Sequence, residues 1–114
     1  MDDSPVVRNM LTSILEEQCY EVTQANDGAE ALKQSEKSIY DLILTDYNMP
    51  NMDGLTLLKT LRATTYYKFT PIIILSNEMG PVLQQAGKKA GVTGWITKPF
   101  NPGQLLHAIR LVIG

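Results

Sequence analysis

The sequence predicts a doubly wound α/β domain, in which a parallel sheet carries helices on both faces. Three short apolar runs recur along the chain, at residues 42–44, 72–75 and 95–96, and a helix-like segment separates each run from the next. The runs are continuously apolar, which is typical of parallel strands covered on both sides. The length of 114 residues suits a single domain over residues 1–114.

Helical periodicity accounts for most of the chain between these runs. Residues 5–18 place apolar side chains at three- and four-residue spacing, and Ser4 and Pro5 supply a capping hydroxyl and a proline suited to a first turn. Asn26, Asp27 and Gly28 predict a turn into a second helix over residues 29–35. Residues 21–24 are a short strand candidate, and further helices are predicted over residues 55–63, 80–90 and 101–113.

Composition narrows the class of protein. The apolar fraction is 44% and the charged fraction 19%, which argues against disorder. The net charge is −2 with mixed signs, so the chain offers no basic stripe for nucleic acid or anionic lipid. Cys19 is the only cysteine, and no apolar run is long enough for a signal peptide or a membrane span. We therefore expect a cytoplasmic protein without an attached output domain.

Polar residues follow each of the three apolar runs, where the core does not need them. They are Asp46, Ser76 and Lys98. Because ligands of open parallel sheets bind at the carboxyl ends of the strands, these side chains predict an anion or phosphoryl site. Three unrelated polar residues at strand ends would give the same spacing, so this alternative stays open.

Adjacent carboxylates near the amino terminus extend the pattern. Together with Asp46, Asp2 and Asp3 offer the hard oxygen ligands that Mg²⁺ prefers. A pair of aspartates at the first turn of a helix is also favoured by the helix dipole alone. Without Asp46 the helix dipole would suffice to explain the pair, and the third carboxylate is what favours a metal site.

Four motifs in succession resemble those of response regulator receiver domains of the CheY-like, chemotaxis type. They are residues 2–4 (DDS), 46–54 (DYNMPNMDG), 76–78 (SNE) and 97–100 (TKPF), and the resemblance runs from Asp2 to the carboxyl terminus. It implies a flavodoxin-like fold in which Asp46 accepts a phosphoryl group from a histidine kinase. It also implies Mg²⁺ as cofactor, bound directly by Asp3, through water by Asp2, and by the backbone carbonyl of Asn48.

The same resemblance implies roles for the remaining motif residues. Ser76 and Lys98 would hold phosphoryl oxygens, Asn48 and Glu78 would tune the lifetime of the acyl phosphate, and Trp95 would turn inward as Ser76 moves. Glu78 is equally well explained as a solvated carboxylate, and Trp95 as a ring that covers the sheet edge. We expect His107 to be a surface residue, and Met49, Met52 and Met79 to be packing residues.

The family pattern places an apolar central strand immediately before the paired aspartates, and here only Met1 precedes them. Such a strand buries about four or five side chains, worth on the order of 10 kcal/mol, against a typical domain stability of about 5 to 15 kcal/mol. The sequence thus predicts an amino-terminally truncated receiver. Its strand edges near residues 21 and 43 would be covered by a second copy, giving a domain-swapped or edge-paired homodimer or larger oligomer. Alternatively, the remaining strands close the gap.

The predicted function is that of a two-component receiver, a phosphoacceptor and not a conventional enzyme, which switches a surface for a downstream target protein. The alternative is a receiver-derived oligomerising scaffold with impaired metal binding and phosphorylation. A Mg²⁺-dependent phosphate hydrolase is disfavoured, because Asn48 stands where such enzymes carry a second acid.

Overall fold

The computed structural model describes residues 5–25, 27–47, 54–76, 81–97 and 101–113. In this part of the chain two helices are followed by three strands, each of which precedes a helix. The elements are α1 (Pro5–Glu17), α2 (Gly28–Lys37), β1 (Ile43–Asp46), α3 (Gly54–Arg62), β2 (Ile72–Ser76), α4 (Pro81–Ala90), β3 (Gly94–Thr97) and α5 (Pro102–Ile113). Within the described residues, no helix is long and apolar enough to cross a bilayer.

The three strands form one parallel sheet in the order β1-β2-β3. Asp46 at the end of β1 is aligned with Leu75 of β2, and Ser76 at the end of β2 is aligned with Thr97 of β3. Every residue of β2 is buried. The carboxyl ends of all three strands therefore lie along one edge, with the most deeply buried strand in the middle.

Side chains of β2 alternate between two cores, one on each face of the sheet. Ile72 and Ile74 pack with residues of α2 and α3, whereas Ile73 and Leu75 pack with residues of α1 and α5. The continuous apolar run at residues 72–75 arises because both faces are covered. The prediction of a doubly wound fold is confirmed.

The second helix is longer than predicted, since α2 begins at Gly28 and ends at Lys37. Its start is fixed by Asp27, whose side chain accepts a hydrogen bond from the backbone N–H of Glu30 at 2.8 Å. This contact satisfies one of the helix's first N–H groups, which have no partner within the helix. The predicted cap at Ser4 lies outside the described residues.

The prediction of a strand over residues 21–24 is wrong. This segment is irregular and connects α1 to α2. A strand requires a neighbour for its backbone N–H and C=O groups, and the described residues provide none beside it. Part of the segment is held by a side chain instead, because the Gln24 amide donates to the Thr12 hydroxyl at 2.9 Å.

The absence of an apolar strand before Asp2 stays a prediction, because residues 1–4 lie outside the described residues. Among the described strands, β1 is at one edge of the sheet. The dimer that was expected to cover this edge stays a prediction.

Candidate functional site

Asp46 and Ser76 end two neighbouring strands at the carboxyl edge of the sheet. Asp46 ends β1 with 6% of its surface exposed, and Ser76 ends β2 with none exposed. The register continues past the strand end, because the backbone N–H of Tyr47 donates to the carbonyl of Leu75 at 2.9 Å. Burying a carboxylate is costly unless other groups compensate for the lost water. A buried carboxylate and a buried hydroxyl at the ends of neighbouring strands are therefore the residues expected at a ligand site.

The backbone around Asp46 is closely packed against the start of α3. The N–H of Gly54 donates to the carbonyl of Tyr47 at 2.9 Å, and a Cβ atom on Gly54 would lie 2.7 Å from the carbonyl oxygen of Asp46. Thr45 is fully buried, and its hydroxyl donates to the same oxygen at 3.1 Å. These contacts fix the position of the strand end that carries the carboxylate.

Trp95 lies in β3, where its half-buried ring fills a space left by a glycine. A Cβ on Gly87 would lie 3.0 Å from Cζ3 of this ring. The rings of Trp95 and Tyr47 are 6.3 Å apart between centroids and tilted by 36°. The indole Nε1 is buried and has no hydrogen-bond partner among the residues that the structure describes. Trp95 therefore combines tight packing with an unsatisfied polar group.

His107 lies on the exposed surface of α5, as expected from its position in the sequence. It borders a surface pocket with Trp95, Ile96, Thr97 and Gln104. The pocket joins the outer edge of β3 to α5.

Several predicted site residues lie outside the described residues. They are Asp2, Asp3, Asn48, Glu78 and Lys98, and the same holds for Met49, Met52 and Met79. Of the expected Mg²⁺ ligands, Asp46 alone is described, and the described residues contain no cluster of three or more metal-binding side chains. The structure thus places Asp46, Ser76 and Trp95 on three neighbouring strands, with Asp46 and Ser76 at strand ends, and the role of each stays a prediction.

Sequence reasoning missed Gly54 and Gly87 as residues that shape the site. Gly54 follows an aspartate in a turn-like stretch, which signals a loop but not the close approach to Asp46. Gly87 interrupts a helical pattern, and this signal could have suggested a packing requirement. Neither partner could have been named, because both contacts join separate elements.

The fold and the site together define a doubly wound α/β domain with a buried carboxylate at the strand ends. The family model of the response regulator receiver domain matches residues 1–110. The chain belongs to this family.

Similar proteins of known family support this family membership. The chain is 36% identical over 116 residues to the chemotaxis protein CheY1 of Helicobacter pylori, covering 100% of this chain and 94% of the relative. The solved structure of Vibrio cholerae chemotaxis protein CheY4 is 45% identical, with a TM-score of 0.94, over 97% of this chain and 92% of that one.

A third solved structure is the receiver domain of the sensor histidine kinase PA1611 from Pseudomonas aeruginosa, which has a magnesium ion coordinated in its active site cleft. It is 29% identical, with a TM-score of 0.91, over 100% of this chain and 93% of that one. The fold is thus the flavodoxin-like fold of CheY-like receivers.

Proposed function

We propose that this receiver domain accepts a phosphoryl group on Asp46 from a histidine kinase and then presents a changed surface to a downstream target. The observation that carries the proposal is the burial of Asp46, 6% exposed, and of Ser76, with none of its surface exposed, at the carboxyl ends of neighbouring strands. Family membership supplies the class of reaction.

The chemistry requires little from the protein beyond positioning. A carboxylate oxygen of Asp46 forms a bond to phosphorus as the N–P bond of a phosphohistidine breaks, and the bonding electrons return to the imidazole. Charge spreads over the three equatorial oxygens during this transfer. The Ser76 hydroxyl at the end of β2 is the proposed donor to one of them, and Lys98, which follows β3 in the sequence, is the proposed cation for another. The domain is a phosphoacceptor that assists its own modification, and we do not propose turnover of a separate substrate.

Mg²⁺ is the proposed cofactor, with Asp46, Asp3, Asp2 and the Asn48 carbonyl as its binding groups. The chemistry of Asp46 fits, since carboxylate oxygens are the ligands that Mg²⁺ prefers. When bound, the ion neutralises charge on the phosphoryl oxygens. The PA1611 receiver domain, with its magnesium ion, is the supporting relative. Asn48 and Glu78 are proposed to set how fast water reaches the acyl phosphate.

Trp95 is the proposed reporter of the change. Its buried Nε1 lacks a partner among the described residues, and an unsatisfied buried donor costs roughly 1–3 kcal/mol. A second ring position with a hydrated N–H is therefore energetically accessible. Ser76 is aligned with Thr97, which lies two residues from Trp95 in β3. We propose that a shift of Ser76 moves the Trp95 ring through this neighbouring strand.

The pocket beside Trp95 and His107 is the proposed face for the downstream target, because a movement of Trp95 would reshape its wall. Chemotaxis is the proposed pathway, supported by the names of CheY1 and CheY4. The cytoplasm is the proposed location, because histidine kinases take their phosphoryl group from ATP, which is present there.

The test uses acetyl phosphate with Mg²⁺ while the fluorescence of Trp95, the only tryptophan, is followed and the intact mass is measured. We expect the mass of one added phosphoryl group, a change in fluorescence, and the loss of both in Asp46→Asn. Asp41→Asn is the matched control, because it removes an exposed carboxylate close to the start of β1. A chain that folds but stays unmodified, with no response to Mg²⁺, would favour the scaffold alternative.

A further inference from the structure

Asp46 and Trp95 lie on strands that do not pair with each other. β2 separates β1 from β3, with Asp46 aligned to Leu75 and Leu75 aligned to Ile96. Two strand spacings of about 4.8 Å put the backbones of β1 and β3 roughly 10 Å apart. A side-chain contact that crosses β2 is therefore the most direct physical link between the two strands.

Tyr47, the residue after Asp46, makes such a contact. The centroids of the Tyr47 and Trp95 rings are 6.3 Å apart, and the ring planes are tilted by 36°. This separation lies within the range of about 4.5–7 Å in which aromatic pairs attract each other. Both rings are half-buried and pack against the core that contains Ile72 and Ile74. The contact thus joins the neighbour of the proposed phosphoacceptor to the proposed reporter.

The backbone of Tyr47 is held from two elements. Its N–H donates to the carbonyl of Leu75 at 2.9 Å, and its carbonyl accepts from the N–H of Gly54 at 2.9 Å. These bonds fix Tyr47 to β2 and to the first residue of α3. The α-carbon from which the ring extends is therefore fixed beside Asp46, and a displacement of this strand end displaces the ring as well.

The buried position of the Trp95 ring depends on packing. The Nε1 atom is buried without a hydrogen-bond partner among the residues that the structure describes. Such a donor favours any ring position in which water reaches it, so contacts with other side chains must oppose this preference. α4 closes one edge of the indole, where a Cβ on Gly87 would lie 3.0 Å from Cζ3. Tyr47 supplies a contact from β1.

We propose that Tyr47 is a positioning residue, which holds the Trp95 ring in its buried position until phosphorylation of Asp46 displaces Tyr47 and releases the ring. The inference rests on the proposed function, since it assigns a route from the phosphoacceptor to the reporter. The attraction within an aromatic pair and the penalty for an unsatisfied buried donor are of similar size. A small displacement of Tyr47 is therefore enough to change which ring position is favoured.

Ser76 offers another route to the same ring. It is aligned with Thr97, so its movement reaches Trp95 along the backbone of β3. This route does not pass through Tyr47. The two routes therefore predict different results for variants of Tyr47.

The first measurement is acrylamide quenching of Trp95, the only tryptophan, in the unphosphorylated chain. We expect Tyr47→Ala to raise the quenching constant at least twofold and to shift the emission to longer wavelength, because the indole loses one contact and Nε1 becomes hydrated. Tyr47→Phe keeps the ring and leaves both values unchanged. Tyr66→Ala is the matched control, because it removes a tyrosine that is 71% exposed.

The second measurement adds excess acetyl phosphate with Mg²⁺ and follows the intact mass and the Trp95 emission together. We expect the change in emission to be at least threefold smaller in Tyr47→Ala than in the wild-type chain at equal phosphorylation. Tyr47→Phe retains the full change. Tyr47→Leu, which keeps an apolar side chain at this position, replaces Tyr47→Ala if the alanine variant does not fold.

Proton NMR of the wild-type chain tests the contact without any substitution. We expect nuclear Overhauser effects between the Tyr47 and Trp95 rings before phosphorylation and their loss in excess acetyl phosphate. Effects that persist in the phosphorylated chain would overturn the inference.

The outcomes separate this inference from the proposed function. A wild-type chain whose mass does not change would overturn the proposed function, and the release step with it. A phosphorylated Tyr47→Ala chain with the full change in emission would overturn the role of Tyr47 alone and leave the route through Ser76.

Discussion

The α-carbon of Gly54 packs directly against the backbone of Asp46. A Cβ atom there would lie 2.7 Å from the Asp46 carbonyl oxygen and 3.1 Å from the α-carbon of Tyr47. Because both of these are backbone atoms, no side-chain rotation can relieve the clash. The absence of a side chain at Gly54 is what lets α3 begin so close to the end of β1.

Gly54→Ala is expected to lower the free energy of unfolding by about 1–3 kcal/mol, the usual cost of overpacking a core. It is also expected to slow phosphorylation of Asp46, since the strand end must shift. Urea unfolding and the acetyl phosphate assay measure the two effects. Gly94→Ala is the matched control, because a Cβ there makes only an ordinary 3.5 Å contact with Ile73. Equal unfolding free energies for the two variants would contradict the prediction.

Gly87 and Trp95 are expected to be energetically coupled. A Cβ on Gly87 would lie 3.0 Å from the Trp95 ring and 3.2 Å from Val92, so Gly87→Ala should displace the indole and destabilise the fold by about 1–3 kcal/mol. Trp95→Phe leaves more room for the added methyl group. A double-mutant cycle measured by urea unfolding should therefore show a coupling of roughly 0.5–3 kcal/mol. Strict additivity would mean that Trp95 is not what the glycine accommodates.

Tyr67 should make stability depend on alkaline pH. Its side chain is 2% exposed, and the hydroxyl lies within hydrogen-bond distance, as donor, of the carbonyls of Ser35 (3.0 Å) and Ser38 (2.7 Å). Burial raises the pKa of Tyr67 above its ordinary value of 10.0. The folded state therefore favours the neutral phenol. This contribution is fully present below pH 10 and is lost as pH rises through the higher folded value.

Tyr67→Phe should lower the unfolding free energy by about 1–2 kcal/mol at neutral pH and flatten the loss of stability above about pH 10. Urea midpoints across this pH range provide the measurement. Tyr66→Phe is the control, because Tyr66 is 71% exposed. If Tyr67→Phe retained the full alkaline slope, another group would be responsible.

Arg62 is expected to stabilise the end of the sheet opposite the site. Its guanidinium donates to the carbonyl of Gly91 at 3.0 and 2.9 Å and to the carbonyl of Tyr67 at 2.8 Å. It also donates to the carbonyl of Thr70 and, at 3.3 Å, to the Thr93 hydroxyl. These contacts join the loops that lead into β2 and β3.

Arg62→Lys should cost about 2–3 kcal/mol of unfolding free energy, because an ammonium cannot reproduce the geometry of the planar guanidinium. Chemical denaturation is the measurement. Lys59→Ala removes an exposed cation from the same helix and should change stability by less than about 0.5 kcal/mol. Full stability in Arg62→Lys would show that charge alone suffices.

The sequence alone was enough to predict the fold class. The apolar runs at residues 42–44, 72–75 and 95–96 fall within or beside the three strands, because buried strands covered on both faces require apolar residues at successive positions. The same rule identified the strand ends, and therefore Asp46 and Ser76 as the last residues of neighbouring strands. The strand predicted over residues 21–24 was wrong, because a strand forms only where a neighbouring strand pairs with it, and the segment's own residues do not encode that neighbour.

Only the tertiary structure decided the contacts that shape the site. Gly54 must be a glycine because Asp46 lies against it, and Gly87 because Trp95 does. These pairs belong to separate elements, and their distances follow from how helices pack on the sheet. Local sequence determines which segments form strands and helices, but the contacts between those elements exist only once they have assembled.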